Sequence, residues 1–468
     1  MTVSPVGHAS AGALFRSAAG TPAVVLSAAS VVLMTSSIDA PAVAPNAFDV
    51  LRERGFVADV TDADSLRAAF GSGSVTFYVG FDPTAPSLHV GHLLGIMGMA
   101  HLARLGHRPV ALAGGATGRI GDPSFRDEER ELLDEPALAR NLAGIRAQLE
   151  RIAGLREAGG LLVDNHDWIR ELSALDFLRD VGKHFSVNAM IARESVKRRL
   201  TEREQGISYT EFSYQLLQAY DFAHLYATEG CQLQCGGTDQ WGNIVAGVEL
   251  TRRLHGGEVH GLVWPLVEGS DGKKFSKSAG NAPWLEASMT SPYAYYQWWV
   301  NIDDRDVERF LKLFTFLELD EIAAVVAEHE QEPARRVGQR RLAEESTRIV
   351  HGEAGVESAT RATTVLFGSQ PYEGLSDEEL ADAFDEAPTA ELTRSRLERG
   401  IGLLELMTEV GASKSNAEAR RLVDQGAVRI NNVRQADSAG RIDLDDLVGA
   451  TTLVVQVGKK RHYLARFR

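Results

Sequence analysis

Two histidines one helical turn apart, His89 and His92, flank Gly91 and close the run Tyr78-Val79-Gly80-Phe81-Asp82-Pro83-Thr84-Ala85-Pro86-Ser87-Leu88-His89-Val90-Gly91-His92. Imidazoles donate to phosphate and ribose oxygens, and a position without a side chain between them lets a flat base come close. The run lies where a strand hands over to a helix, so unpaired backbone N–H groups and the positive end of the helix dipole favour an anion there. A second chemical segment is Lys273-Lys274-Phe275-Ser276-Lys277-Ser278, set among Gly269, Gly272 and Gly280. Alone it reads as a solvated basic loop; beside the first site, its lysines could move onto the charge of a departing pyrophosphate. The third is a helix face. Tyr214, Gln218 and Asp221 are spaced i, i+4, i+7, with Phe212, Leu216, Ala219 and Ala223 on another face. Such a polar stripe either faces solvent or lines a site.

The elements that position these groups alternate. Val75 to Phe81 reads as a strand, followed by a turn at Asp82–Pro86 and a helix from near Ser87 that Gly106 stops. Val110 to Ala113 is a second strand, giving a β-α-β unit with a parallel, right-handed crossover. Leu161 to Val163, Gln232 to Cys235 and Val259 to Val267 add strands. Residues 46–283 therefore read as a doubly wound, Rossmann-type α/β domain with a helical insert. Beyond Pro283 the pattern turns helical over 284–370, with Val307, Phe310, Leu311 and Phe314 on one face, Asp303 and Asp304 as N-cap candidates, and a basic stretch at Arg335, Arg336, Arg340, Arg341 and Arg348. Residues 371–400, acidic and rich in turn formers, read as a linker to a small α+β unit at 401–468.

The 468 residues carry 49 Lys+Arg against 64 Asp+Glu, a net charge of −15, which excludes indiscriminate nucleic-acid binding but not a local basic surface. Residues 401–468 hold such a surface: 11 Lys or Arg against 8 Asp or Glu, with five of the former and no acid in Lys459 to Arg468. Two cysteines, Cys231 and Cys235, exclude a disulfide scaffold and read as buried reduced thiols. Residues 1–45 stand apart, with Arg16 and Asp39 their only charged residues of the Asp, Glu, Lys and Arg types. Three readings stay open for them: a disordered tail, an export signal, or an over-extended start with Met34 as the initiator. The apolar run Ala23 to Met34 is too short to span a membrane.

His89-Val90-Gly91-His92 and Lys274-Phe275-Ser276-Lys277-Ser278 resemble the HIGH and KMSKS signatures of class I aminoacyl-tRNA synthetases. Three further stretches resemble the bacterial-type tyrosyl-tRNA synthetase family in particular: Gly114 to Ser124, Tyr214 to Asp221 and Gly236 to Asn243. The resemblance spans about residues 46–468, with mild departures at Val90 and Phe275. It implies an enzyme that activates L-tyrosine with ATP and transfers it to tRNA(Tyr), with Mg2+ accompanying ATP and no tightly bound cofactor or dedicated metal site. It further implies a cytoplasmic homodimer joined through the catalytic domain, with no membrane association.

Residue by residue, the resemblance implies that Tyr214, Gln218 and Asp122 hold the ammonium group of tyrosine, while Tyr78 and Asp221 bind its hydroxyl. It implies Gly80, Asp82, His89, Gly91, His92, Gly236, Asp239, Gln240 and Lys277 for ATP. Among the catalytic set, Thr84 and His89 are expected on the polyphosphate with Lys274 and Lys277 over it, and His92 on the adenosine. Ala412 to Val423 followed by Gly426 to Asn431 resembles an S4-type RNA-binding domain, with Lys414, Arg420 and Arg421 as phosphate contacts. Rival readings are a tryptophanyl-type synthetase, a small-molecule adenylyltransferase and a synthetase-derived non-catalytic RNA-binding protein. The Tyr78 and Asp221 pair opposes the first, the S4-like module the second, and the intact His89, His92, Lys274 and Lys277 the third.

Overall fold

The computed structural model describes residues 45–124, 134–193, 196–197, 200, 206–270, 272, 275, 282–367, 371–384, 387–458 and 461–468. The expected N-terminal extension, but for Pro45, lies outside these residues. So do Lys274 and Lys277 of the basic loop, and Lys459 and Lys460 of the tail.

Strands β1 (Asp59–Val60), β2 (Thr76–Phe81), β3 (Arg108–Ala113), β4 (Leu161–Asp164), β5 (Cys231–Gly237) and β6 (His260–Trp264) form one sheet in the order β1-β6-β5-β2-β3-β4. All neighbours run parallel except β1, which is antiparallel to β6. The inner strands are mostly buried, as strands covered on both faces must be: β6 is buried along its whole length, and β3 from Pro109 onward. The chain lays β2, β3 and β4 toward one edge, then returns to place β5 and β6 on the other side of β2. Its winding reverses between β2 and β5, and the crevice outside the strand ends at such a reversal is where open α/β sheets bind ligands.

Helix α1 (Val90–Arg104) follows β2 and starts three residues later than its periodicity predicts. Ser87 and Leu88 are committed elsewhere. The Gln148 side chain donates to the Ser87 hydroxyl and accepts from the Leu88 N–H, while the Leu88 carbonyl accepts from the Leu285 N–H. The capping position therefore falls to His89. Helices α2 (Tyr209–Glu229) and α3 (Trp241–His255) flank β5 in sequence and pack on each other beside the sheet.

The helical region that follows includes Pro292–Val300, α4 (Val307–Phe314), Leu319–Gln331 and Val337–Phe367, the last interrupted at Gly352 (φ 73°). Its fully buried Trp299, Phe310 and Phe314 belong to the same apolar core as Leu51, Phe77 and Leu93 of the α/β region. The two regions thus stabilise each other.

Residues 371–400, expected as a linker, are ordered into helix Asp377–Ala383 and strand β7 (Thr389–Leu392). Two of the acidic side chains there are committed to backbone N–H groups. Ser376 and Glu379 form a capping box, and Asp377 accepts from the Ala450 and Thr451 N–H groups. Strand β7 lies parallel to the last strand at the edge of a sheet ordered β10-β9-β12-β13-β7, built with β9 (Val428–Ile430), β10 (Val433–Arg434), β12 (Thr452–Val457) and β13 (Arg461–Phe467). A two-stranded ladder, β8 (Ile401–Gly402) with β11 (Arg441–Ile442), and helices Leu403–Glu409 and α5 (Asn416–Asp424) complete this α+β unit around its own core.

Candidate active site

At the carboxyl end of β2, His89 caps α1 through its side chain: Nδ1 accepts from the Gly91 N–H at 3.0 Å. His92 returns the favour one turn later, its Nδ1 accepting from the His89 N–H at 3.3 Å. A neutral imidazole that accepts at Nδ1 carries its proton on Nε2. The reciprocal cap therefore sets both rings, with centroids 4.0 Å apart, as donors at Nε2. Gly91 has a structural reason beyond the approach of a base. A Cβ there would lie 2.7 Å from His89 Cε1 and 2.9 Å from the Phe275 carbonyl oxygen.

That carbonyl belongs to the basic loop, whose far flank pairs with the same segment. The Val90 N–H donates to Pro283 O, Trp284 bridges to His89, and Leu285 donates to Leu88. The two signatures are thus neighbours in space. Their lysines, Lys274 and Lys277, are outside the described residues. Thr84 sits half-buried in the intervening turn, its N–H donating to Asp82 O at 2.9 Å. Gly80 is exposed near the end of β2.

The helix stripe does not face solvent. Tyr214 and Asp221 are buried and Gln218 half-buried, which decides between the two readings of their spacing. The Tyr214 hydroxyl donates to Asp82 Oδ2 at 3.0 Å, and Thr117 donates to Asp82 Oδ1 at 2.8 Å. Asn165 donates to Thr117 Oγ1 at 3.1 Å and to Asp221 Oδ2 at 3.0 Å, and Trp168 Nε1 donates to Asp221 Oδ1 at 2.9 Å. A second branch runs from Asp122, which accepts from Gln240 Nε2 at 2.6 Å, to Asn243, which donates to both Gln240 and Gln218. Gln240, expected on ATP, is thereby tied to Asp122 and Gln218, two of the three residues expected on the ammonium group. Asp239 lies in the turn after β5, where Gly236 and Gly237 end the strand; a Cβ on Gly237 would lie 2.5 Å from its Oδ1.

Burial lifts the Asp221 carboxyl to about 7, against the pull of its two N–H donors. Tyr78, 1% exposed, has a hydroxyl with no hydrogen-bond partner among the described residues. Burial, and then the neighbouring Asp221 charge, raises its phenol well above the ordinary range. A buried phenol without a partner beside a buried carboxylate is an arrangement that a substrate hydroxyl would complete. Cys231 and Cys235 are free, buried thiols on β5, the first pushed up to about 12 by burial, and neither has the character of a nucleophile.

Comparison with known proteins shows the family. Residues 72–368 match the family model of class I tRNA synthetases for tryptophan and tyrosine, and residues 379–465 match that of the tyrosine–tRNA ligase SYY-like C-terminal domain. A tyrosine–tRNA ligase of Enterococcus faecalis is 46% identical over 422 residues, covering 90% of this chain and 99% of that one. One of Roseiflexus castenholzii is 45% identical over 421 residues, covering 89% and 98%. The chain belongs to the tyrosine–tRNA ligase family. Among solved structures, a C-terminally truncated mitochondrial tyrosyl-tRNA synthetase of Aspergillus nidulans superposes with a TM-score of 0.63 at 34% identity, over 69% of this chain and 94% of that one. The first family model covers both the tryptophan and tyrosine branches, so the C-terminal match and the named relatives decide against the tryptophanyl reading.

Seen as a tyrosine–tRNA ligase site, the nest contains residues to which the sequence motifs assign no role: Thr117, Asn165, Trp168 and Asn243. Asn165 and Trp168 follow β4, so they sit at the same carboxyl edge of the sheet as the motifs. That position was their only signal.

In the C-terminal unit Lys414, Arg420 and Arg421 are exposed and pair with no carboxylate among the described residues. The basic stretch of the helical region differs. Arg341 pairs with Glu321, Arg348 with Glu345 and Glu353, and Arg335 with Glu332, while Arg336 donates to Val300 O.

Proposed function

We propose that the nest between β2 and β5 binds tyrosine and ATP side by side, and that its residues divide the work as follows. Tyr78 and Asp221 take the substrate hydroxyl, and Tyr214, Gln218 and Asp122 the ammonium group. Gly80, Asp82, Gly91, His92, Gly236, Asp239 and Gln240 surround the nucleotide. Thr84 and His89 meet its phosphates, with Lys274 and Lys277 supplied by the basic loop and Mg2+ brought in with ATP. The observation that carries this reading is the buried Asp221 carboxylate beside the unpartnered Tyr78 hydroxyl, joined by hydrogen bonds through Asn165, Thr117 and Asp82 to Tyr214.

The chemistry needs little beyond placement. The tyrosine carboxylate is already ionised and needs no general base; it attacks the α-phosphorus of ATP in line as pyrophosphate departs. Donors fixed before reaction, such as the Nε2–H groups that the reciprocal cap sets, stabilise charge on the phosphates without reorganising. In the second step a terminal ribose hydroxyl of tRNA attacks the activated carbonyl and AMP leaves. Recognition of hydroxyl over hydrogen follows from desolvation. Phenylalanine would leave the buried Tyr78 hydroxyl without a partner and give Asp221 no donor beyond Asn165 and Trp168, and tyrosyl-tRNA synthetases are the standard example of such discrimination.

Lys414, Arg420 and Arg421 would hold tRNA by its backbone. A second copy of the chain would cover the exposed apolar side chains of the insert, Leu175 (79% exposed), Leu178, Val187, Ile191, Leu200 and Tyr209 (70%). No helix among the described residues is long and apolar enough to cross a membrane, and a cytoplasmic enzyme is the setting in which tRNA, ATP and tyrosine meet.

The test is amino-acid-dependent ATP–pyrophosphate exchange with all twenty amino acids, for wild type and Asp221→Ala. Exchange with tyrosine alone, lost in the variant, supports the assignment. Undiminished exchange in Asp221→Ala would remove that residue from hydroxyl recognition, and exchange with phenylalanine in the wild type would remove the pair as a specificity device.

A further inference from the structure

Helix α4 (Val307–Phe314) is bound at its two ends to the two signature elements, through contacts that none of the roles above uses. At its amino end, Asp306 is only 5% exposed, and its Oδ2 accepts from the Ser270 N–H at 2.8 Å. Its Oδ1 accepts from Arg309 at 2.9 Å, and the same Arg309 nitrogen donates to the Glu268 carbonyl. The Ser270 hydroxyl reaches Asp303, one residue before the helical turn that leads into α4. Farther along the loop, Phe275 packs edge-on against Trp298 at 4.9 Å and against Phe310 of α4 at 5.8 Å. Its N–H donates to Val267 O at 3.0 Å.

At the carboxyl end, the buried Arg54 donates to the carbonyls of Lys312 and Thr315 at the helix end and of Leu317 just beyond it. Phe316 lies between His101 (5.1 Å) and Arg104 (4.4 Å from the guanidinium), both on α1. The other end of α1 carries His89 and His92. One eight-residue helix therefore ties the base of the basic loop to the helix that presents the imidazoles.

A carboxylate buried to accept one backbone N–H and one guanidinium is costly to desolvate, and loss of either partner leaves a buried charge uncompensated. A loop base held only by packing could slide. Here Glu268, Ser270 and Phe275 are each held against the helical region, by a hydrogen bond or by an aromatic face. Lys274 and Lys277 follow Ser270 by four and seven residues, so the register of the loop base sets where their backbone starts.

We propose that Asp306 and Arg309 are positioning residues for tyrosine activation: through Glu268 and Ser270 they hold the base of the basic loop in register with the His89–His92 helix end. They touch neither substrate. The proposal rests on the reading that the loop lysines act on the polyphosphate, and it predicts an effect on the ATP side of the reaction alone.

The experiment is a double-mutant cycle in the full chain, read by ATP–pyrophosphate exchange with separate constants for ATP and tyrosine. Asp306→Ala is expected to lower kcat/KM for ATP by roughly tenfold and to leave the tyrosine KM within about twofold. Arg309→Lys, which keeps one donor for both acceptors, should recover most of what Arg309→Ala loses. In a Lys277→Ala background the Asp306→Ala effect should shrink to less than about threefold, because of the two lysines that the loop base places only Lys274 is left to position. If Lys277→Ala impairs exchange and Asp306→Ala costs the same factor in both backgrounds, the positioning proposal is overturned while the lysine assignment stands. If Lys277→Ala leaves exchange unchanged, the lysine reading itself fails. A fall for Asp306→Ala that raises the tyrosine KM equally and tracks a lowered Tm, with no recovery in Arg309→Lys, also overturns the proposal, since that is general destabilisation.

Discussion

The nest between β2 and β5 and the cationic face of the C-terminal unit hold their charges in opposite ways. In the nest, Asp82, Asp122 and Asp221 each accept from at least two donors; Asn165 joins the donors of Asp82 and Asp221 through Thr117, and Asn243 ties the Asp122 donor Gln240 to Gln218. On the C-terminal face, Lys414, Arg420 and Arg421 stand in solvent with no carboxylate partner among the described residues. A buried, hydrogen-bonded charge recognises one small molecule, because any ligand that fails to complete the network leaves a desolvated group unpaired. A solvated cation accepts any phosphate that passes at the right spacing, with affinity that salt erodes. The helical region between them shows the third possibility, arginines neutralised by carboxylates of their own region. A basic stretch in the sequence is therefore weak evidence for an anionic partner until its pairing is known.

Changes in the nest should be severe and selective by substrate. Gly91→Ala is expected to have the largest effect, since its Cβ would strike the capping imidazole of His89 and the Phe275 carbonyl together. Displacing these groups by about 1 Å should lower kcat/KM for ATP in exchange by roughly a hundredfold. Tyrosine binding, measured by equilibrium dialysis without ATP, should stay within about threefold. Asn165→Ala should act on the other substrate. It removes a donor to Asp221 at 3.0 Å and the acceptor of the Ala116 N–H at 2.7 Å. Loss of a hydrogen bond to a charged group, about 2 kcal/mol, would raise the tyrosine KM by roughly thirtyfold and leave the ATP KM unchanged. Equal loss on both sides from either variant would show that the nest responds as one body.

The parts of this site legible in the sequence are those whose geometry is local. His89, Gly91 and His92 lie within one turn, and the strands before and after them carry their own apolar runs and turn residues. Asn165 and Trp168 were not legible because their contacts cross the sheet to Asp221, 56 and 53 residues away. Strand β1 escaped for a related reason. Its two residues pair with Val263 and Leu262, some two hundred positions on, and so short a segment has no periodicity of its own. The stretch expected as a linker shows the converse. Ser376 and Glu379 cap a helix through a local capping box, whereas the partners of Asp377, the N–H groups of Ala450 and Thr451, lie more than seventy residues on and left no mark in the local pattern.

On the cationic face the expected losses are smaller and belong to tRNA alone. Replacing Lys414, Arg420 and Arg421 together by Ala should lower kcat/KM for tRNA in charging by roughly tenfold at low salt. The slope of log affinity against log salt should become shallower by about 0.7 to 0.9 for each phosphate no longer neutralised. Exchange without tRNA should be unchanged. An unaltered salt slope would assign the tRNA-binding charge to other residues, with the tail from Arg461 to Arg468 the next to replace.

The smallest effect separates the two charge habits by pH. Burial lifts the Asp221 carboxyl from an ordinary 3.8 to about 7, so between those values the folded chain holds a proton that the unfolded chain has released. Stability rises with pH only where the unfolded state binds more protons; here it binds fewer, so the Asp221 contribution falls as pH rises through that window. The full span corresponds to roughly 4 kcal/mol, of which relaxation around the charge would leave less. Asp221→Asn removes the titration. It also turns one acceptor into a donor facing Asn165 or Trp168, a fixed cost that does not vary with pH. The difference in Tm, variant minus wild type, should therefore become more positive by a few degrees from pH 5 to pH 8, because every other titrating group is common to both proteins and cancels. For the exposed Lys414, Arg420 and Arg421, the triple Ala variant should give a flat difference over the same range. Parallel Tm curves for Asp221→Asn would mean that the donors from Asn165 and Trp168 keep the carboxylate ionised throughout, and that the tyrosine hydroxyl meets a full negative charge at every pH at which the enzyme works.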